Sequence, residues 1–423
     1  MTPDQNHNHK MGTLVKSCRI LERMNRSDDQ SRKSYSLYFR ILGDYFQRIC
    51  TAVEQNKPMV LHTVFLPPEI MYAMDIVPMH AEMSTWMTAI FSRENQSLLD
   101  KAAEIGLATE VCSAHRGLVG AFALNFMPRP NAIIWSSLMC DNTAKSGELL
   151  MEINRSPGFF VDHPFSNTDD EASYFIDEMK DLIGFLEEHT GHRMNWEKLS
   201  QMIERLNHQI DLAREITELR KSVPSPFPMQ RFLEMLMHYY LLPGQPDAIQ
   251  YLEALRDDLR YMTANRKGAV TNEKYRLMSL FVPPVSNLVF LNKFFEERGV
   301  ASVIEPFFNF WGEEKLDPNK PLESLAQKSH LFPEMSFYGL FQRKSLEDAR
   351  KAAKEYKVDG TVFYSHLGCR QAAGTVKFFQ DTFAEEDIPF LAIDFDLLDP
   401  TVASESEIKQ KLEQLLEVID DHR

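Results

Sequence analysis

Ala132-Ile-Ile-Trp-Ser-Ser-Leu-Met-Cys140-Asp141 is an apolar run that ends in a cysteine followed at once by an acid. Pro128, Pro130 and Asn131 precede it, and Asp141-Asn-Thr follows the cysteine. A short apolar run between such punctuation reads as a buried strand, and Asp, Asn and Thr start turns and cap helices. The stretch therefore reads as a strand that delivers Cys140 to the start of a helix. In an open α/β sheet that is where ligands bind, because helix N-termini there present free N–H groups and a dipole that favour anions, a thiolate or its metal–sulfur adduct included.

The same construction recurs near the C-terminus. Asp359-Gly-Thr-Val-Phe-Tyr-Ser365 reads as a strand that runs through His366-Leu-Gly into Cys369-Arg370, ahead of a helix expected over 371–379. A third cysteine, Cys112, lies in Glu110-Val-Cys-Ser-Ala-His-Arg116. Three cysteines at loop or helix starts, far apart in the chain, point to one site assembled from distant segments.

Around these stretches the periodicities give an α/β protein with two parallel-sheet domains joined by a helical segment. The expected divisions are an N-terminal helical arm over 1–49, a first α/β domain over 50–168, a helical segment over 169–272 and a second α/β domain over 273–423. The arm reads either as mobile or as docked on the main body. In the first domain Met59–Phe65 reads as a strand, and Leu66-Pro-Pro-Glu69 opens a short helix. Glu69 is there either as an N-terminal acid favoured by the helix dipole or as an acid facing the site. Over 172–189, 196–221 and 229–240 the pattern is that of amphipathic helices. His189 and His192 read as a polar helix end rather than a metal pair, and Arg116, Arg370 and Lys377 as solvated charges rather than contacts for a ligand's phosphates. A cleft between two similar halves is a usual place for a site.

Composition narrows the function classes. Of 423 residues 44% are hydrophobic and 25% charged, which suits a globular chain with ample core. The formal charge of −15 argues against a nucleic-acid footprint and against adhesion to anionic membranes. Neither a long apolar run nor a signal-peptide order is present, so a cytoplasmic protein is expected. Five widely spaced cysteines do not make a disulfide framework, and Cys18 and Cys50 are assigned no role. The chain has no P-loop, dinucleotide fingerprint, nucleophile elbow or His-Glu-x-x-His helix, and no Cys-x-x-Cys pair. Three dispersed cysteines remain. As thiolates they could bind zinc with a fourth ligand, or hold a [4Fe-4S] cluster by three of its irons; as thiols they would be inert and buried.

From about Lys57 to the C-terminus the chain resembles the 2-hydroxyacyl-CoA dehydratase and benzoyl-CoA reductase subunits. The resemblance is carried by Pro68-Glu-Ile-Met-Tyr-Ala-Met-Asp-Ile-Val-Pro78, by Cys112 with Arg116 and Gly120, and by the strand into Cys140-Asp141. Glu273-Lys-Tyr-Arg-Leu277, Asp359-Gly-Thr-Val with Cys369, and the closing Ile388-Pro-Phe-Leu-Ala-Ile-Asp-Phe-Asp396 complete it.

The resemblance implies two flavodoxin-like domains and a [4Fe-4S] cluster held by Cys112, Cys140 and Cys369, with Glu69 near the cluster. It also implies a related partner subunit, a separate ATP-dependent activator protein that injects one electron, and a CoA thioester substrate. In such dehydratases a ketyl radical on the thioester carbonyl lets a 2-hydroxyl leave. The expectation is a [4Fe-4S] subunit of a 2-hydroxyacyl-CoA dehydratase. The alternatives are a benzoyl-CoA reductase-type subunit, a non-catalytic electron-relay partner and a zinc-stabilised binding protein.

Overall fold

Two four-stranded parallel sheets with one common strand order organise the computed structural model, which describes residues 3–138, 140–164, 169–227, 231–306, 315–335 and 343–423. In the first sheet β1 (Met59–His62), β2 (Val77–His80), β3 (Ala132–Ser136) and β4 (Gly158–Val161) lie in the order β2-β1-β3-β4. In the second, β5 (Tyr275–Leu280), β6 (Val300–Ile304), β7 (Gly360–His366) and β8 (Phe390–Phe395) lie in the order β6-β5-β7-β8. Both are the flavodoxin-like order, in which the chain reverses direction across the sheet between its first and third strands. The central strands β1, β3, β5 and β7 are buried along their whole length. Helices cover both faces of such a sheet, so its inner strands read as continuous apolar runs, and that is why the sequence announces them.

Strand β2 was not expected. It contains Pro78, which cannot donate to a ladder, and the structure places it at the sheet edge, where proline is tolerated. The helix expected over 371–379 is two helices, Arg370–Ala373 and Val376–Ala384, because Gly374 ends the first. Four helices, Asp169–Thr190, Trp196–Leu219, Phe232–Tyr240 and Pro246–Ala264, lie between the sheets in sequence. The last was hidden by the Leu242-Pro-Gly-Gln-Pro246 punctuation; Pro246 sits in its first turn, where no backbone N–H is needed.

The N-terminal arm is docked. Helix Pro3–Met24 buries Met11, Leu14 and Cys18 against helix Lys33–Glu54. Cys18 and Cys50 lie in the hydrophobic core, where burial pushes their thiols up to about 12 and about 11 and disfavours the thiolate. His192 meets the Met74 carbonyl through Nδ1 at 2.8 Å, and His189 packs on the Phe185 ring.

The halves share a turn as well as a topology. Phe65-Leu-Pro-Pro68 follows β1 and Phe281-Val-Pro-Pro284 follows β5. Both phenylalanines have left-handed backbone, with φ of 70° and 64°. For a bulky side chain this stores about 1–3 kcal/mol of strain, which persists where packing over-determines it and is concentrated at functional sites.

Gly120 marks the closest approach of helix Ser113–Ala123 to helix Asn95–Glu104. A methyl group there would lie 1.9 Å from the Leu98 carbonyl oxygen. Gly120→Ala is expected to lower stability by about 2 kcal/mol or more, measured as a lowered denaturation midpoint at unchanged m-value.

Candidate functional site

The three cysteines come together. Cys112, Cys140 and Cys369 line one cavity of about 830 Å³, its open mouth included. Each is the residue immediately before a helix, at Ser113–Ala123, Asp141–Asn154 and Arg370–Ala373, and none spends its side chain on capping. The cavity lies beyond the carboxyl ends of the strands of both sheets: Phe65 follows β1, Cys140 follows β3, Phe281 and Val282 follow β5, and Cys369 follows β7. These are the two switch points of the strand order, where open α/β sheets bind ligands.

A buried amide fastens the three segments. Asn142 accepts from the Cys112 N–H through Oδ1 (3.3 Å) and donates through Nδ2 to the Gly368 carbonyl (3.2 Å). The Gly368 backbone is pressed against that of Cys112, so that a β-carbon at Gly368 would lie 2.5 Å from the Cys112 Cα. No side chain larger than hydrogen fits at that crossing.

Burial raises all three thiols: Cys112 well above its ordinary range, Cys140 to about 12, and Cys369 upward as well. Proximity to the other two cysteines raises Cys112 further, and proximity to Cys369 raises Cys140. In so apolar a space the neutral thiol is favoured, and thiolates there would need a cationic partner. Among the described residues no three His, Cys, Asp or Glu side chains converge closely enough to hold a single ion. The three thiols share the lining of one cavity.

Two histidines and an acid that the sequence reading missed complete the set. His366 Nε2 lies 3.1 Å from Cys112 Sγ, and His115 Nε2 lies 3.5 Å from Cys140 Sγ. The Ser146 hydroxyl has its proton directed to the main-chain carbonyls of Asn142 and Thr143, so it accepts from His115 Nδ1 (2.8 Å). The His115 Nε2 lone pair then faces Cys140. Burial lowers His115 to about 4, so the ring is neutral near pH 7.

Glu82 opens helix Ala81–Ser92 just beyond β2. Its Oε2 accepts from the Val64 N–H (3.0 Å), and its Oε1 has no hydrogen-bond partner among the described residues. Burial pushes its carboxyl up to about 7. A cavity-lining acid poised at neutrality can take or give a proton. The sequence signal that could have found it is Pro78-Met-His80-Ala-Glu82, polar residues directly after an edge strand.

Glu69, the acid singled out from the sequence, does not line this cavity. It is the first residue of helix Glu69–Ala73, fully buried, and accepts from Lys328 Nζ (2.6 Å). Lys328 borders a second, smaller pocket, which shares Phe65 and Tyr240 with the cavity. Arg116 is not solvated as expected: it is buried, with Nε donating to the Val111 carbonyl (2.9 Å) and the guanidinium 3.5 Å from Asp396. Arg370 and Lys377 are exposed and paired with Asp141 and Asp381.

Residues 63–419 match the family described as 2-hydroxyglutaryl-CoA dehydratase, D-component. The chain belongs to this family. It is 24% identical over 415 residues to a benzoyl-CoA reductase subunit of Thauera aromatica, covering 90% of this chain and 93% of that one. With the (R)-2-hydroxyisocaproyl-CoA dehydratase alpha subunit of Clostridioides difficile the identity is 21% over 403 residues, covering 90% and 95%. With the alpha subunit of the (R)-2-hydroxyglutaryl-CoA dehydratase of Acidaminococcus fermentans it is 22% over 303 residues, covering 70% and 61%. No helix among the described residues is long and apolar enough to cross a membrane.

Two outcomes test this geometry. Asn142→Ala is expected to lose about 1–3 kcal/mol, because it orphans a buried N–H and a buried carbonyl, read from denaturant unfolding. For Glu82 the folded value of about 7 lies above the ordinary 4.5. Between those limits the folded state holds the proton and the unfolded state has released it, so stability falls as pH rises from about 4.5 to 7. Glu82→Gln should remove on the order of 2 kcal/mol of that decline, measured as the difference between native and variant stability at pH 5 and pH 7.5.

Proposed function

We propose that this chain is the iron–sulfur subunit of a 2-hydroxyacyl-CoA dehydratase-type enzyme, with Cys112, Cys140 and Cys369 as ligands of a [4Fe-4S] cluster. The observation that carries the reading is the convergence of three thiols, none of them a helix cap, from both halves of the chain on one cavity beyond the strand ends. When bound by three thiolates, such a cluster supplies an electron at low potential and an iron without a cysteine that can act as a Lewis acid.

The chain's own residues do the rest. The helix N-termini behind the cysteines stabilise the thiolates, and Asn142 holds their loops at a fixed separation. His366 and His115, beside Cys112 and Cys140, supply nitrogen contacts to two of the sulfurs. The apolar walls exclude water from the reacting thioester, which protects a reactive intermediate. Glu82 holds or takes the proton, its carboxyl being half-protonated near neutral pH. A related subunit and an ATP-dependent activator protein are the proposed partners, the first supported by relatives that are themselves named as subunits.

The aromatic lining favours one second reading, an aromatic-CoA reductase subunit, in line with the Thauera relative. Product analysis separates the two: one eliminates water, the other adds two electrons to a ring.

Anaerobic purification with iron and sulfide determination tests the cofactor. About four irons per chain with absorption near 400 nm are expected, and Cys140→Ala should lose the chromophore while keeping the fold. A colourless native protein, or a Cys140→Ala protein with full iron and sulfide, overturns the assignment.

A further inference from the structure

The cavity walls select the acyl group. Phe65, Trp86, Tyr240, Phe281 and Tyr364 supply aromatic surface from both halves and from helix Phe232–Tyr240, and Met83 adds to it. Among the described residues no lysine or arginine lines the cavity, and its one carboxyl group is Glu82. The buried cations nearby are committed elsewhere. Lys328 belongs to the adjoining pocket beyond Phe65 and Tyr240 and is paired with Glu69, while Arg116 is held by Asp396 and the Val111 carbonyl. A ligand carboxylate placed in this cavity would be desolvated beside an acid with no positive partner, an arrangement that strongly opposes binding.

Neutral polar groups are present instead. Trp86 Nε1 is buried without a hydrogen-bond partner among the described residues, and the Tyr364 hydroxyl is buried beside the Ser279 hydroxyl. The indole N–H and the phenol O–H can each donate to an uncharged oxygen such as a carbonyl or hydroxyl. Apolar walls with a few polar atoms are the usual make-up of a site for an apolar ligand with one polar handle.

We infer that the substrate of this chain is a CoA thioester whose acyl group is apolar and carries no second charge, an aromatic ring or branched alkyl group fitting where a dicarboxylic acyl group does not. The inference rests on the thioester reading above and goes beyond it, since the family takes its name from a dicarboxylic acyl group.

The test is calorimetric titration of the anaerobically purified full-length protein with benzoyl-CoA, 4-methylpentanoyl-CoA, glutaryl-CoA and the monomethyl ester of glutaryl-CoA. The first two and the ester should bind roughly 100-fold or more tightly than glutaryl-CoA, the difference reporting the buried charge. Equal affinity for glutaryl-CoA and its ester overturns the inference and leaves the thioester reading standing. Absence of binding by every thioester overturns both. Met83→Arg, which places a cation in the wall, should narrow the gap between glutaryl-CoA and its ester at least tenfold. A folded variant with the native preference also overturns the inference.

Discussion

The contact on which the site depends is the crossing of two loops, where the Gly368 backbone lies against Cys112 and Asn142 bonds to both. Cys112 and Cys140 belong to the first half of the fold and Cys369 to the second, and no disulfide joins them. Asn142 satisfies a helix-start N–H on one side and a loop carbonyl on the other, two groups that would otherwise be buried without partners. One amide thus sets the distance between cysteines that are hundreds of residues apart.

The surroundings follow from that crossing. Two sheets meeting at their carboxyl ends bring helix N-termini to a common space, and the turns after β1 and β5 close it with the left-handed Phe65 and Phe281. Their equivalent positions, and the shared Phe-x-Pro-Pro, make the halves alike in backbone. They differ in chemistry: Cys112, Cys140, Glu82 and His115 come from the first half and Cys369 and His366 from the second, while both contribute aromatic wall. More of the titratable groups therefore lie on the first half's side of the cavity.

Burial explains why these groups sit where they do. In an apolar space a thiol stays protonated, a histidine neutral, and a carboxyl is pushed toward neutrality. Cys140, His115 and Glu82 show all three effects within one contact network. Glu69 and Lys328 follow the other course open to buried charges: they pair with each other, outside the cavity.

The sequence by itself determined the strands that bury both faces, because a continuous apolar run bounded by turn residues leaves little alternative, and it placed Cys140 and Cys369 beyond two of them. It also marked Cys112 at a helix start. Strand β2 was hidden by Pro78, since local pattern does not reveal that a strand will lie at an edge. Glu82, His115, His366 and Asn142 were not singled out, because whether a polar side chain faces a cavity, a partner or solvent is set by residues remote in the chain. Glu69 and Arg116 show the same limit from the other side: as letters Glu69 read either as a helix-start acid or as a site acid and Arg116 as a surface charge, and only the tertiary contacts show Glu69, at its helix start, buried against Lys328 and Arg116 buried against Asp396. Local pattern fixes which segments fold; only the long-range packing of both halves decided which side chains share one desolvated space.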